Sequence, residues 1–564
     1  MTVLRTKDLE PFYRPCVHPQ KVAPPMQPAP PLKYETVDLE GGKVLFEKDI
    51  AIKMRDGVTL YADLYRPAPA LADKTPTLIH FAPFGKHGAV PREKFQNMDV
   101  DFGKLSKHTK WELPDPLRWC GEFGFSLLSV DPRGTWWSEG DANHLSPEEG
   151  RDGYDIVEWV AEQPWSTGNI GWGGAVSYFA MSAYQTAVLK PPHLKAIMVW
   201  EGISDIYREV NCPGGIPNVP FQSLWMNMTG NGLSCSEDHA VASIEHPLFD
   251  DYWQSKVVDW SLIDIPALSV TGWSSLGLHL RGTIEAWKKF SSPEKFLLVH
   301  GGREWSEFYK EHNVQKQLQF WQRYLKDVPN QVNTWPRVEL DVRSSADHRV
   351  RRVEADFPPR ASLTRFHLGP NATLTPESAG VASEKADYVA FKAHKYDSMV
   401  YFDFKFSQRT EITGNSSVKL FVQALDFPDV DLFVALQKLD KDLNEVRFYH
   451  STQQIEAAAS FGWLRASHRE LDVAKSTPER PVYLHRRRLW LQPTLVAEVD
   501  VELWPSSTVW DAGETLRLAV KGTTFTDPEN PTQFKGPSHS FGEVRIWFGG
   551  NYDSGLLVPF ISGE

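Results

Sequence analysis

From residue 75 onward the chain repeats short apolar runs that end in turn residues: TPTLIHFAPF, FSLLSVDPRG, NIGWGGAVS, LKAIMVWEG, IPALSVTGW and KFLLVHGG. Apolar runs without alternation are what strands look like when both faces of a sheet are covered. Between two of them, EGRDGYDIVEWVAEQPW places Ile156, Val157, Trp159 and Val160 on one helical face. Alternation of this kind predicts an α/β domain with a mainly parallel sheet and helices on both sides. Upstream, KDIAIKM and VTLYADLYRP flank Asp56-Gly57, the signal of a hairpin. Residues 203–260 lack the rhythm and read as an inserted, irregular, aromatic-rich cap. After TWPRVELDV the pattern changes to SSVKLFVQAL, VDLFVALQKLD, TLVAEVDVELWP and ETLRLAVKG, closely spaced strands of an all-β sandwich or jelly roll. The expected division is an extended arm over 1–47, an α/β domain over 48–202 and 261–332, the cap over 203–260 and a β domain over 333–564. Within the arm, the proline-rich VAPPMQPAPPLK predicts extended chain on the surface.

Composition narrows the function classes. A net charge of −12 over 564 residues leaves no basic footprint for nucleic acid. The N-terminus has no apolar signal core and no window is long enough for a membrane span, so a cytoplasmic protein is expected. Four scattered cysteines, Cys16, Cys120, Cys212 and Cys235, form no C-x-x-C pair and are expected as free thiols. The eighteen histidines make no H-E-x-x-H set, and no P-loop or dinucleotide fingerprint is present; no cofactor or metal is expected. The 21 tryptophans and 31 phenylalanines mostly build cores, but their excess favours a pocket for a hydrophobic small molecule. Composition is compatible with a homo-oligomer.

The chemistry centres on GWGGAVSYFA (171–180). A serine between a glycine-rich strand end and a helix is a nucleophile elbow, normally written G-x-S-x-G. Here Ala175 lies two before Ser177 and Phe179 two after it. The stretch carries one extra residue, which a bulge at Gly173-Gly174 would absorb. The bland alternative is a serine satisfied by a backbone carbonyl.

Together with APFGK (82–86), VDPRGTWWSEGD (130–141), EGRDGYDIVEWVAEQPWSTGNIG (149–171), VSYFAMS (176–182), PPHLKAIMVWEG (191–202), GWLRASHREL (462–471) and DSGLLVPFI (553–561), this stretch resembles the cocaine esterase and X-Pro dipeptidyl-peptidase family of serine hydrolases. The resemblance implies an α/β-hydrolase fold with a helical cap after the sixth strand, then a jelly roll, and ester or amide cleavage by a Ser-Asp-His triad. It also implies an oxyanion hole made by the N–H after the serine and a tyrosine hydroxyl from a P-Y pair.

The site departs from that pattern. Ser177-Tyr178 matches the family's S-Y, but Phe84 stands at the tyrosine and cannot donate a hydrogen bond. Ser275, in GWSSLGLHLRG after Trp273, stands where the family has its aspartate. Glu304 or Trp305 falls near the place of the histidine. The remaining assignment is Ser177 as nucleophile, His300 at the strand end as base and Glu201 in VWEG orienting it; Tyr178, Phe84, Ser275, Trp273, Glu304 and Trp305 would line the pocket. His279 is a second base candidate with a structural role as its simpler reading. Asp131 and Arg133 in DPRG are expected to form a turn salt bridge. The expected function is ester or amide hydrolysis, or acyl transfer, on an apolar or aromatic molecule. The alternatives are a non-hydrolytic cyclase, isomerase or lyase that uses the dismantled triad, and a non-catalytic binding protein.

Overall fold

In the computed structural model the described residues are 11–21, 35–39, 41, 43–68, 74–87, 98–377, 383–391, 398–450, 455–525 and 542–561. The prolines of 22–33 lie outside them. The Asp56-Gly57 hairpin joins β1 (Val44–Lys53) to β2 (Thr59–Pro67) in antiparallel register, Lys53 opposite Thr59. The predicted runs form β3 (Thr75–Phe81), β4 (Ser126–Asp131), β5 (Ser166–Val176), β6 (Leu194–Trp200), β7 (Ala267–Gly272) and β8 (Lys295–His300). They pair in the order β1-β2-β4-β3-β5-β6-β7-β8, parallel from β4 onward. Every residue of β3, β4 and β7 is buried, which is why these strands show no alternation.

The sheet does not stop at β8. Strand β9 (Val338–Arg343) pairs parallel with β8 and antiparallel with β10 (Arg349–Glu354), and its last residue, Arg343, pairs with Thr508 of the long strand Ala497–Trp510. The remaining C-terminal strands enclose their own apolar core, which includes Phe402, Leu420, Val434, Val501, Leu518 and Ile546. Glu35–Leu39, inside the expected arm, adds an antiparallel strand to β1, while Tyr13–Pro15 pairs antiparallel with Cys235–Glu237 of the cap.

The first helix, α1 (Pro147–Ala161), starts as its sequence dictates: Ser146 accepts the Glu149 N–H at 3.3 Å, Pro147 occupies the first turn, and Glu148 and Glu149 follow. Glu149 is buried; it accepts the Leu145 N–H at 2.7 Å and the Tyr178 hydroxyl at 2.8 Å, tying α1 to α2 (Tyr178–Ala187). The cap departs from the irregular chain expected of it. It forms α3 (Val219–Thr229) and α4 (His239–Glu245). The helical period of α3 is invisible because its buried positions include the polar Gln222 and Thr229 beside Met226, while the apolar Phe221, Trp225 and Met228 face a cavity. Asp131 and Arg133 do not pair with one another. Asp131 accepts the Lys86 N–H at 2.7 Å, and Arg133 forks onto Asp152 at 2.7 and 2.9 Å. All four cysteines are free thiols. Among the described residues no helix is long and apolar enough to cross a membrane.

Three parts of the chain meet at Arg281 in α5 (Leu280–Lys289). Its guanidinium is 3.0 Å from Glu209 of the cap and 3.0 Å from Glu502 of the β domain, and all three side chains are buried. Arg281→Met would leave two buried carboxylates facing each other, a loss of about 3–5 kcal/mol for breaking such a pair. A lowered melting temperature, with the loss growing from pH 5 to pH 8 as the orphaned acids ionise, is the expected outcome in thermal unfolding.

The Glu149 tether makes a second prediction. Burial raises its carboxyl from 4.5 to about 8. An acid protonated in the fold and ionised in the unfolded chain contributes its full stability below 4.5 and loses it as pH rises toward about 8. Glu149→Gln, measured against wild type in stepped-pH melts, is expected to lose less stability across that window.

Candidate active site

Strand β5 reaches its turn through a backbone that only glycine tolerates. Gly173 has φ +95°, and a Cβ there would lie 1.9 Å from the Met198 carbonyl of β6; Gly174 has φ +69° with the Trp321 indole 2.9 Å away. The register confirms one extra residue: Gly173 pairs with Met198 and Val176 with Trp200, three residues on β5 against two on β6. The bulge leaves Ala175 fully buried and delivers Ser177 to φ 59°, ψ −125°, a region non-glycine residues occupy only under constraint. Ser177 is the one half-buried residue in the otherwise buried run 171–187, and its side chain does not cap α2. Its N–H donates to the Trp200 carbonyl at 2.9 Å, so the serine is anchored by main chain and not by its hydroxyl.

Beside it lies a cavity of about 380 Å³ under the cap. Five residues expected at the site line it: Ser177, Tyr178, Phe84, Glu304 and Trp305. Four do not. Trp273 is buried and donates its indole N–H to the Asp341 carbonyl at 2.7 Å; Ser275 is fully buried. Glu201 accepts from the Thr271 hydroxyl and the Gly272 N–H, both at 2.7 Å, and lies 3.5 Å from His300 Nε2. His300 is fully buried with its ring on Trp200. His300 and Glu201 thus meet each other beneath the cavity rather than at its wall.

The histidine at the wall is His279, immediately before α5, with Nε2 3.8 Å from Glu304 Oε1 at the start of α6 (Glu304–Tyr309). Burial lowers the His279 pKa to about 4, against the opposing pull of the Glu201 charge. Burial raises Glu304 well above the usual carboxylate range, reinforced by Glu201 and Glu112. Glu112, which no sequence signal singled out, also lines the wall; burial raises it to about 8, although the Trp305 indole donates to it at 2.9 Å. The Tyr178 ring stacks near Trp225, and its hydroxyl is spent on Glu149. Phe84 packs against Phe179, with ring centroids 5.8 Å apart. The wall is therefore apolar and uncharged near neutral pH, with a serine, an imidazole and two protonated acids as its chemistry. Among the described residues no Lys or Arg lines it.

Two buried clusters have the donors of a metal site, and in both a lysine supplies the cation. Glu237, between His144 and His239, is 2.8 Å from Lys256 Nζ and accepts from Tyr252. Asp49 and Asp63, around His87, contact Lys86, and Lys110 is 3.4 Å from Asp63. A divalent ion would add charge to groups already neutralised.

Comparison with known proteins shows the family of the chain. Residues 56–243 match the X-Pro dipeptidyl-peptidase (S15 family), and residues 330–557 match the X-Pro dipeptidyl-peptidase C-terminal non-catalytic domain. A putative serine esterase of Mycobacterium bovis is 30% identical over 587 aligned residues, covering 84% of this chain and 89% of its own. The cocaine esterase of a Rhodococcus species is 33% identical over 202 residues, 35% of this chain and 31% of that enzyme. The crystal structure of a CocE/NonD family hydrolase from Staphylococcus aureus covers 100% of this chain and 99% of its own, with TM-score 0.87 and 33% identity. An α-amino acid ester hydrolase structure, 16% identical with TM-score 0.68, shares the fold. An α/β-hydrolase domain followed by a C-terminal β domain, both matched, places the chain in the CocE/X-Pro dipeptidyl-peptidase-like family of hydrolases.

Proposed function

We propose that this protein is a serine hydrolase that cleaves an ester or amide of an uncharged, apolar small molecule, with Ser177 as nucleophile. The observation that carries this reading is Ser177 itself, held at positive φ on the strand–helix elbow and facing the cavity. Strain of this kind persists where surrounding structure enforces it, and here it holds the hydroxyl proud of the backbone. Phe84, Trp111, Trp225, Met228 and Trp305 favour an aromatic or aliphatic acyl group, and the uncharged acids favour a neutral one. The relatives named above are hydrolases by name, which favours hydrolysis over cyclisation or isomerisation.

In this reading Ser177 Oγ attacks the carbonyl carbon and passes its proton to His279, the histidine on the cavity wall, with Glu304 beside it. The Tyr178 N–H, in the first turn of α2 with no helical acceptor, points toward the developing oxyanion. Collapse expels the leaving group, which takes its proton from His279, and water then releases the acyl group by the same route. His300 with Glu201 is the alternative base pair and would have to leave its packing on Trp200. The C-terminal β domain, which we read as a jelly roll, braces α5 through Glu502 and so holds His279.

Ser177→Ala is expected to abolish fluorophosphonate labelling and to lower p-nitrophenyl ester turnover by about 10⁴ or more. His279→Gln should cost on the order of 10²–10⁴ in kcat, as loss of a general base does. A larger loss in His300→Gln than in His279→Gln would transfer the base role to His300. An imidazole titrating near 4 is unprotonated above that pH, so kcat/KM should hold down to pH ~5 instead of falling near 6.5. Turnover that survives Ser177→Ala would sink the acyl-enzyme reading.

A further inference from the structure

Glu112 is a buried acid beside the nucleophile that the reaction above leaves unused. It sits in KWELPD (110–115) with φ 60°, and its carbonyl accepts the Val176 N–H at 3.1 Å. Val176 is the residue before Ser177, so the Glu112 main chain is clamped to the elbow and its side chain starts next to the serine. That side chain lines the same cavity and is 3% exposed. The Trp305 indole fixes Oε1 at 2.9 Å, and Trp111, whose ring lies 5.7 Å from that of Trp305, also bears on the carboxyl. Oε2 is buried and takes no hydrogen bond from a described residue.

The chemistry of the carboxyl follows from its surroundings. Of the ionisable groups facing the cavity, Glu304 on α6 is another acid and His279 is held neutral by burial; no lysine or arginine among the described residues faces it. An ionised Glu112 would have the Trp305 indole N–H and no counter-ion, and burial holds it protonated up to about 8. Its oxygens then differ: Oε1 accepts from Trp305, which leaves Oε2 for the proton, with no acceptor for it among the described residues. Phe84, on the same wall, has no proton to give.

We propose that the Glu112 carboxyl donates a hydrogen bond from Oε2 to the carbonyl oxygen of the substrate, as the second oxyanion donor beside the Tyr178 N–H. The assignment rests on Ser177 as nucleophile. As the Oγ–carbon bond forms, the carbonyl π pair moves onto oxygen and the serine proton goes to His279. Glu112 keeps its own proton throughout and only shares it. A carboxylic acid kept neutral by an apolar site can stabilise an oxyanion in this way. Because the donor is the protonated form, kcat should fall as pH rises through about 8.

The test uses the full chain with Glu112→Met, which has no donor, and Glu112→Gln, which keeps one. Turnover of a p-nitrophenyl ester and the rate of fluorophosphonate labelling are read in each, with melting temperature reporting the fold. Glu112→Met is expected to lose about 10²–10³ in kcat with KM little changed, as for removal of one oxyanion donor. Glu112→Gln should recover most of that rate and lose the alkaline fall. Glu112→Met at the wild-type rate, or a folded Glu112→Gln no faster than Glu112→Met, overturns the assignment alone. A wild-type protein that never labels at Ser177 overturns the nucleophile and this assignment together.

Discussion

The close approach of β5 and β6 at Gly173 sets the position of everything at the cavity. With the Met198 carbonyl where a Cβ would sit, the chain can pass only as glycine. The bulge that follows adds a residue to β5, turns Ala175 into the core and presents Ser177 at the head of α2. The clamp of Glu112 onto Val176 depends on the same bulge, as does the seat of Tyr178 against Glu149 in the first turn of α1. One steric contact between two buried strands thereby orders the serine, its neighbouring amide and two of the three acids nearest to them.

The opposite wall depends on charge. Arg281 lies two residues beyond His279 and is held by one carboxylate from the cap and one from the β domain. A buried arginine with two acid partners is weak evidence of net stability, but its geometry is demanding, and it fixes the start of α5 relative to both added parts. The cap and C-terminal domain therefore do more than cover the sheet. They place the imidazole, and a bare α/β domain would lack both carboxylates that do so.

Two groups of buried acid in this protein contrast. Where a lysine is at hand, as for Glu237 with Lys256 or Asp63 with Lys86 and Lys110, attraction outweighs desolvation and the carboxyl pKa falls. Glu112, Glu149 and Glu304 make no such ion pair with a lysine, and there desolvation wins and the acid keeps its proton. The first kind holds loops together. Of the second kind, Glu112 and Glu304 line the apolar cavity without giving it charge.

Local pattern sufficed for the hairpin at Asp56-Gly57, the parallel strands, the capped start of α1 and the bulged elbow at Ser177. Each depends on neighbours in sequence: turn residues, buried runs, a cap, or an insertion before a serine. The cap helices escaped because α3 buries polar Gln222 and Thr229 and turns apolar Phe221, Trp225 and Met228 to a cavity, so it shows no ordinary amphipathic period. The polar groups that share the cavity with Ser177 escaped for a different reason. His300 ends a strand and looks available, yet the sheet buries it against Trp200; His279, in an unremarkable GLHLRG, is brought to the wall by α5 and its arginine. Glu112, in a loop without motif, keeps its proton because burial outweighs the hydrogen bond it accepts from the indole of Trp305, far along the chain. Sequence by itself determined where Ser177 sits, since an elbow is a local backbone feature. Which groups face it, and in which protonation state, only the tertiary structure decided, because burial and pairing are set by residues far apart in the chain.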